Sequence, residues 1–312
     1  MTAPSHSPST LRTISDDLAA IVARLAPSVV AVHARHRLAS SGFAWREGVI
    51  VTAAHTVKRE EGISVALPDG STAAAVLAGR DTGTDIAILK LDRGAVELPS
   101  LADASSLKVG NLVVAIARLG RGHMSADFGL VAGVGSAWRT WRGGSVDRWI
   151  SLDGGLRAGF SGAPLVDAGG QVVGLCTSAL LRGAGVVIPN ATVSRVAEEL
   201  LAKGRVARGY LGLSMQPVEL PQSWVTQMSL ASKRALVVVS LEPGAPAEQA
   251  GILIGDVLLA LGDKATVDTD AVLAILGSER VGSSLRASLI RGGARIEHTI
   301  IVGERTQRDG CR

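Results

Sequence analysis

The feature that most constrains the fold of this chain is a series of short apolar runs, several rich in Val and Ile, between Ser28 and Pro189. Turn residues such as Pro68-Asp69-Gly70 separate these runs. Runs of this length and spacing predict an all-β barrel or sandwich. They are Val29–Val32, Val49–Ala53, Ile63–Leu67, Ile86–Leu91, Leu112–Ala117, Gly129–Val134, Arg148–Leu152, Pro164–Val166, Val172–Cys176 and Gly185–Ile188.

The composition limits what can fill the core of such a domain. Hydrophobic residues make up 47% of the 312 residues, but aromatic residues make up only 3%. The core must therefore be built from Val, Leu, Ile and Ala. A chain of this length is typical of about two domains.

Helical spacing flanks the β-rich region on both sides. Ser15 is predicted to cap a short helix, and Pro27 ends it. Residues 191–203 return to helical spacing, and Lys203-Gly204 is a typical helix end. From Arg208 onward the pattern predicts a small β-rich unit with two helices. Its strands are predicted at Tyr210–Met215, Ala235–Leu241, Val257–Leu261, Leu285–Arg291 and Ile296–Val302, and its helices at Ala245–Ala250 and Asp268–Leu276.

These patterns predict the organisation of the chain. We expect a disordered N-terminus at residues 1–13, a first domain at 14–190, a helical linker at 191–207, a second domain at 208–303 and a polar tail at 304–312.

Several function classes find no support in the sequence. The net charge is +4, but no block of five or six Lys or Arg residues suggests nucleic-acid binding. No apolar segment approaches the length of about 18 residues that spans a bilayer. No phosphate loop and no His/Cys/Asp cluster at metal spacing is present, so we expect neither a metal nor another cofactor. Of the two cysteines, Cys311 lies next to the C-terminus, so we expect no structural disulfide.

Three separate segments carry candidate catalytic residues. His55 follows the apolar run Val51–Ala54, where an ordinary histidine at the end of a strand is the alternative. Asp85 directly precedes an apolar strand, and a carboxylate held against such a core needs a hydrogen-bonded partner unless it is a simple turn residue. Ser161 lies in Gly159–Leu165, a glycine-rich loop that either is an ordinary turn or aims two backbone N–H groups at one point.

The chain order His, Asp, Ser is the order of chymotrypsin-like proteases and differs from the order in other serine hydrolase folds. In this hypothesis Ser161 attacks a carbonyl carbon, His55 accepts the proton of Ser161, and Asp85 fixes the imidazole tautomer and stabilises the imidazolium. The backbone N–H groups of Gly159 and Ser161 are predicted to form the oxyanion hole.

At these segments the sequence resembles the HtrA/DegP family of trypsin-like serine proteases with a C-terminal PDZ domain. The resemblance runs from about residue 28 to 303, and rests on Gly48–His55, Thr84–Lys90, Gly159–Leu165 and Gly185–Pro189. It implies a mainly β protein, with a chymotrypsin-like double β-barrel followed by a small α+β PDZ domain. The chain departs from the family pattern at Phe160, where the family has Asn, and at Ala163, where it has Gly. The segment between Val32 and Gly42 is too short for the regulatory loop that many members carry.

The second domain resembles a PDZ domain through Arg208–Leu213, Glu242–Ala247, Ala250–Ile252 and Gly255–Leu258. The resemblance implies that the backbone N–H groups around Tyr210, Leu211 and Gly212 bind a peptide C-terminus. The strand that contains Leu213 would then accept the peptide as an added strand.

By the same resemblance, a specificity pocket is expected on both sides of the nucleophile. Gly155 and Leu156, with Arg157 at the rim, would form one wall. The other would consist of Cys176, Thr177 and Ser178. Such an apolar pocket predicts cleavage after Val, Ala or Ile and not after Lys or Arg, which would need a buried carboxylate partner.

The sequence therefore predicts a serine endopeptidase that hydrolyses unfolded or misfolded proteins and selects or regulates substrates through its PDZ domain. The alternative is a catalytically silent, chaperone-like or peptide-binding protein that keeps the protease fold. The resemblance implies a homotrimer. Because the N-terminus shows no basic region followed by an apolar one, a cytoplasmic location is the default expectation, although the family is often periplasmic or associated with the cell envelope.

Overall fold

The computed structural model describes residues 9–36, 38–120, 122–181, 184–277 and 280–304. The chain forms two compact units, Met1–Val206 and Ala207–Arg312.

The first unit begins its β structure with a closed six-stranded antiparallel barrel. Around the barrel the strands follow the order β1-β2-β3-β6-β5-β4. Its interior is aliphatic, as the composition predicts, with Val30, Ile50 and Leu89 among its buried residues. The strands are β1 (Val29–His33), β2 (Ser40–Arg46), β3 (Val49–Ala53), β4 (Ile63–Ala66), β5 (Thr72–Asp81) and β6 (Ile86–Leu91).

A second closed barrel follows, in the order β11-β14-β13-β12-β7-β8, and a small hairpin of β9 and β10 extends from it. These two barrels confirm the double β-barrel that the resemblance implies. The strands are β7 (Leu112–Leu119), β8 (His123–Val134), β9 (Trp138–Arg139), β10 (Ser145–Val146), β11 (Ile150–Leu152), β12 (Pro164–Asp167), β13 (Val172–Thr177) and β14 (Val186–Pro189).

Two strands of the first barrel, β2 and β5, have no counterpart among the predicted apolar runs. Strand β2 reads Ser-Ser-Gly-Phe-Ala-Trp-Arg, yet its first five residues are buried. Strand β5 alternates small buried and exposed residues along its first half. These strands can contain small and polar side chains because backbone pairing on both edges satisfies their amides. Strand β2 pairs with β1 and β3, and strand β5 pairs with β4 and β6.

Two helices complete the first unit, α1 (Thr10–Leu25) and α2 (Asn190–Lys203). The prediction that α1 begins at Ser15 and that residues up to 13 are disordered is wrong for residues 10–13, because Ser9 caps the helix by accepting a hydrogen bond from the Arg12 amide. Residues 1–8 lie outside the described residues. Helix α2 ends at Gly204 and packs Val193, Val196 and Leu200 into the core, so it is an integral part of the first unit and not a free linker.

The second unit is a small β-sheet with three short helices around its own aliphatic core. Strands β16-β17-β18-β20-β21 follow one another in the sheet, β19 pairs with β18, and β15 pairs separately with β22. The helices are α3 (Gln222–Gln227), which was not predicted, α4 (Pro246–Gln249) and α5 (Thr269–Ile275). The strands are β15 (Gly209–Tyr210), β16 (Leu213–Glu219), β17 (Arg234–Leu241), β18 (Val257–Leu261), β19 (Lys264–Ala265), β20 (Ser284–Arg291), β21 (Ala294–Ile301) and β22 (Gly303–Glu304).

Candidate active site

Strand pairing in the first barrel brings His55 and Asp85 together. Strands β3 and β6 are antiparallel, and Ala53 is paired with Ile86. The turn that follows β3 therefore lies beside the residue that precedes β6. His55 Nδ1 is 2.7 Å from Asp85 Oδ2, and the His55 backbone amide donates to Asp85 Oδ1 at 2.7 Å. This arrangement holds the imidazole ring with Nε2 available for a second partner.

The loop before Asp85 holds the backbone of this residue in an unusual conformation. Asp85 is 2% exposed and has a φ of 61°, in the left-handed region that Asp tolerates better than most residues. The preceding turn is held by the carboxylate of Asp81, which accepts hydrogen bonds from the Gly83 amide and from the amide and hydroxyl of Thr84. Asp81 is therefore the turn residue of this loop, and Asp85 is the one directed at His55.

Thr177 is a partner of the carboxylate that the sequence analysis placed in the specificity pocket. Its hydroxyl donates to Asp85 Oδ2 at 2.5 Å, and its side chain is fully buried. Asp85 thus accepts hydrogen bonds from His55, in side chain and backbone, and from Thr177. These donors hold the carboxylate of Asp85 in place. No local sequence pattern marks this role, because Thr177 lies 92 residues from Asp85.

The candidate nucleophile Ser161 lies in the segment between β11 and β12, and we call residues 157–162 the nucleophile loop. His55 and Ser161 are near each other. The Ser161 hydroxyl is 3.1 Å from the Ser178 hydroxyl. Within the described residues, no hydrogen bond joins the side chains of Ser161 and His55. Either hydroxyl can be the donor in the bond between Ser161 and Ser178.

The two amides predicted to form the oxyanion hole have no acceptor within the described part of the chain. The neighbouring amides are used, since Phe160 donates to the Arg157 carbonyl and Gly162 to the Cys176 carbonyl. The amides of Gly159 and Ser161 remain as two donors in one short segment. An arrangement of this kind can stabilise the oxygen of a tetrahedral intermediate.

Both departures from the family pattern are accommodated by packing. The ring of Phe160 is fully buried in the core of the second barrel, and the Arg157 guanidinium lies 4.8 Å above its centre. Arg157 in turn donates to the carboxylate of Asp127 at 2.9 Å. Ala163 has no positive φ, and its methyl group is buried in the same core. Both side chains are thus part of this core, and the charge of Arg157 is paired with Asp127.

A second candidate site lies in the second unit, at residues 210–213, which we call the carboxylate loop. Gly212 has a φ of 75°, and a Cβ there would lie 2.1 Å from the Ala245 side chain, so only glycine fits this bend. The amides of Leu211 and Gly212 have no acceptor among the described residues, while the hydroxyl of Tyr210 donates to Glu242 at 2.5 Å. Leu213 begins β16, which pairs with β17 and is the edge strand of the sheet.

Comparison with family models gives two matches that follow the two units. Residues 40–175 match the trypsin-like peptidase domain, and residues 209–302 match the PDZ domain. The prediction of a PDZ-type second domain is thereby confirmed.

Curated relatives match most of this chain. A probable periplasmic serine endoprotease, DegP-like, of Halomonas elongata is 32% identical over 279 residues, which are 86% of this chain and 57% of the relative. A protein of the same description from Rhizobium meliloti is 32% identical and matches 83% of this chain and 52% of its own length. The chain belongs to the HtrA/DegP-like family. It spans about half the length of the curated relatives it matches.

Solved structures of HtrA-type proteases agree with this family membership. The serine endoprotease of Yersinia pestis is 27% identical, with a TM-score of 0.75, and the match covers 96% of this chain and all of that one. The HtrA-type protease AlgW with a tripeptide is 27% identical, with a TM-score of 0.74, and the match covers 94% of this chain and 98% of that one.

The structure divides the predicted pocket residues of this HtrA-like chain into two groups. Gly155 and Leu156 line a cavity of about 110 Å³ together with Leu152, and Leu156 reaches towards Gly185 before β14. Cys176 and Thr177 are fully buried and do not line this cavity. Burial raises the pKa of the Cys176 thiol to about 12.

Two further observations concern cofactors and membranes. Among the described residues, no group of three or more His, Cys, Asp or Glu side chains is arranged to hold a metal ion. No helix within those ranges has the length and apolar character needed to cross a membrane.

Proposed function

We propose that this chain is a serine endopeptidase that hydrolyses unfolded or misfolded polypeptides with His55, Asp85 and Ser161. The observation that carries the proposal is the pair of hydrogen bonds between His55 and Asp85. The buried carboxylate of Asp85 is bonded to the imidazole of His55 and to the backbone amide of His55. A carboxylate in this position stabilises the imidazolium that forms when His55 accepts a proton. Relatives described as serine endoproteases support the same reaction.

The reaction follows from the positions of these groups. Ser161 Oγ forms a bond to the carbonyl carbon of the scissile peptide while His55 Nε2 takes the hydroxyl proton. The carbonyl oxygen becomes an oxyanion, which accepts hydrogen bonds from the Gly159 and Ser161 amides. When the intermediate collapses, the C–N bond breaks and His55 donates the proton to the leaving amine. Water then attacks the acyl group by the same route and releases Ser161.

The second candidate is a catalytically silent protein that uses the same fold to bind peptides. One observation favours it, because the Ser161 hydroxyl is hydrogen-bonded to Ser178 and not to His55. Labelling by a fluorophosphonate probe, together with digestion of β-casein, distinguishes the two candidates. A protease is labelled and cleaves casein, and Ser161→Ala abolishes both signals. Absence of labelling and cleavage in the wild-type protein supports the silent candidate.

The specificity proposed for the protease is cleavage after small or medium aliphatic residues such as Val, Ala or Ile. Leu156, which directly precedes the nucleophile loop, contributes an apolar side chain to the cavity, although Asp127 and Asp153 also line it. Asp127 is paired with Arg157, and Asp153 accepts a hydrogen bond from the Leu130 amide. Mass spectrometry of casein fragments tests this specificity, and a set dominated by cleavage after Lys or Arg would contradict it.

We further propose that the carboxylate loop binds peptide C-termini. Among the residues that the structure describes, the amides of Leu211 and Gly212 have no acceptor and β16 is the edge strand of its sheet, and both features support this function. Calorimetry with the full chain carrying Ser161→Ala, which prevents cleavage, compares one peptide as free acid and as amide. The free acid is expected to bind about 10-fold tighter, since charge-assisted hydrogen bonds contribute about 1.5–3 kcal/mol each. Equal affinities would exclude carboxylate recognition.

The homotrimer implied by the family resemblance is the assembly that we propose for the full chain. Size-exclusion chromatography with light scattering tests this assembly, and a monomer at micromolar concentration would contradict it.

A further inference from the structure

Ser41, on β2 of the first barrel, makes contacts to the nucleophile loop that no sequence pattern predicts. The Ser41 hydroxyl donates to the Gly159 carbonyl at 2.9 Å, and the Arg118 carbonyl is a second, longer acceptor at 3.3 Å. The Ser41 amide donates to the Ser161 carbonyl at 3.2 Å. One residue of the first barrel thus holds two carbonyl groups of a loop about 120 positions further along the chain.

The remaining polar groups of Ser41 are also paired, so its orientation is fixed. Its hydroxyl accepts a hydrogen bond from the Arg118 amide at 3.1 Å. Its carbonyl accepts one from the Thr52 hydroxyl at 2.7 Å. The side chain is fully buried, where a hydroxyl with both donor and acceptor roles satisfied is held in one rotamer.

The nucleophile loop lies directly against this residue. A Cβ at Gly162 would be 2.0 Å from the Ser41 carbonyl oxygen, so β2 and the loop approach each other at backbone distance. Gly159 and Gly162 both have positive φ values, of 93° and 90°. Glycine has a wide range of backbone conformations, so these two positions leave the loop free to rotate unless other groups hold it.

The two contacts limit the direction of one oxyanion-hole amide, that of Ser161. Peptide groups are planar, so holding a carbonyl oxygen fixes the plane of its whole peptide unit. Ser41 holds the peptide unit that follows Gly159 and the one that follows Ser161. Between them lies the unit that carries the Ser161 amide. This unit is thereby confined between two fixed planes.

We propose that Ser41 is a positioning residue for the oxyanion hole, a role that rests on the proposed protease function. Its hydroxyl holds the Gly159 carbonyl and its amide holds the Ser161 carbonyl, so the Ser161 amide between them keeps its direction. A displacement of about 1 Å in such donors is enough to reduce the rate about 100-fold. The contribution of Ser41 acts in the transition state, when negative charge develops on the substrate oxygen.

The chain offers a matched control for this test. Ser40 precedes Ser41 on the same strand, is 1% exposed, and its hydroxyl has no partner among the described residues. Ser41→Ala removes the contact to Gly159, whereas Ser40→Ala removes a buried hydroxyl of the same size that holds nothing. Comparing the two separates the loss of the contact from the general effect of deleting a buried oxygen.

The experiment measures kcat and KM on a fluorogenic peptide, the inhibition constant of a peptide boronic acid, and the melting temperature. The boronic acid forms a tetrahedral adduct with Ser161 that places an oxygen in the oxyanion hole. We expect Ser41→Ala to lower kcat about 10- to 100-fold and to raise the inhibition constant of the boronic acid by a similar factor. KM should stay within about 2-fold of the wild-type value. Ser40→Ala is expected to retain wild-type kcat and inhibitor affinity.

Each alternative outcome has a distinct meaning. Equal kcat values for Ser41→Ala and Ser40→Ala, in an active wild-type background, would overturn the positioning role. A wild-type protein that neither cleaves casein nor reacts with a fluorophosphonate would instead overturn the proposed function. If Ser41→Ala does not fold, Ser41→Cys is measured in its place, because a thiol has similar size but is a weak donor. Unfolding of both variants would overturn the proposal, because the Ser41 hydroxyl would then be required for folding and not for positioning the oxyanion hole.

Discussion

The nucleophile loop of the first unit and the carboxylate loop of the second each have a pair of backbone amides without an acceptor in the described chain. The two loops differ in how they are held. Ser41, on another strand, holds two carbonyls of the nucleophile loop, and Phe160 anchors the loop in the core. The carboxylate loop is bent at Gly212 and opens onto the edge strand β16.

The difference follows from what each loop would do. Catalysis depends on donors placed for a transition state, where small displacements are costly. Peptide binding by strand addition needs an unpaired edge and tolerates adjustment of the ligand. The first loop is therefore enclosed by side-chain contacts from distant parts of the chain, and the second leaves backbone groups open.

The largest expected effect tests the most enclosed part of the first unit. Asp85→Asn keeps the size of the side chain but removes its negative charge. A neutral amide stabilises an imidazolium less than a carboxylate does, and its NH2 group cannot accept hydrogen bonds from His55 or Thr177. We expect kcat on casein to fall about 10⁴-fold with the fold intact, the magnitude known for this change in the catalytic triad of serine proteases. The exposed Asp263→Asn is the control. Activity within about 10-fold of wild type would show that Asp85 is not part of the catalytic group.

The second unit has its own enclosed carboxylate, at Asp256, and it serves stability. Arg291 donates two hydrogen bonds of 2.7 Å to Asp256, and the Leu253 amide donates a third. Burial acts to raise the pKa of Asp256, but these donors outweigh it and hold the pKa below its ordinary value. A carboxyl with a lowered pKa contributes stability at neutral pH, and this contribution is lost as the pH falls through the acidic range below about 4.

We therefore expect Asp256→Asn to lower the free energy of unfolding by about 2–3 kcal/mol at pH 7, because it removes a charged partner of Arg291. Urea denaturation of the full chain measures this change, with the exposed Asp263→Asn as control. The difference between Asp256→Asn and wild type should shrink near pH 3. A difference that is independent of pH would contradict the electrostatic explanation.

Thr177→Val tests a single contact in the first unit. Valine has nearly the size of threonine but cannot donate to Asp85. We expect kcat to fall about 10-fold, since hydrogen bonds to charged groups contribute about 1.5–3 kcal/mol. Thr56→Val is the matched control, because the buried Thr56 hydroxyl donates to the Ala53 carbonyl and not to the catalytic group. Equal losses of kcat in both variants would show that Thr177 contributes by packing and not by its hydrogen bond to Asp85.

The sequence predicted those parts of the molecule that depend on neighbours along the chain. Apolar strands such as β3 and β6 are recognisable because their side chains are buried in a continuous run, and the positions of His55 and Asp85 follow from the ends of these strands. Strand β2 and the contact of Ser41 with Gly159 depend on pairing between distant segments. A serine in a short polar segment gives no local signal that its hydroxyl will be buried against another barrel.

The smallest expected effect concerns the contact that separates the two candidate functions. Ser178 is exposed, and its hydroxyl is 3.1 Å from that of Ser161. A hydrogen bond between neutral groups contributes about 0.5–1.5 kcal/mol. If Ser161 is the donor in this bond, the bond must break before Ser161 can donate to His55. If Ser178 only holds the resting rotamer, Ser178→Ala removes this cost from the approach to the transition state.

We therefore expect Ser178→Ala to react about 2- to 10-fold faster with a fluorophosphonate probe than the wild type does. The rate constant of labelling is measured on the full chain, with the exposed Ser136→Ala as control and Ser161→Ala as the blank. A slower reaction would mean that the Ser178 hydroxyl assists the nucleophile instead of holding it. An unchanged rate would mean that Ser161 leaves Ser178 without cost, and the resting contact would then no longer favour the silent candidate.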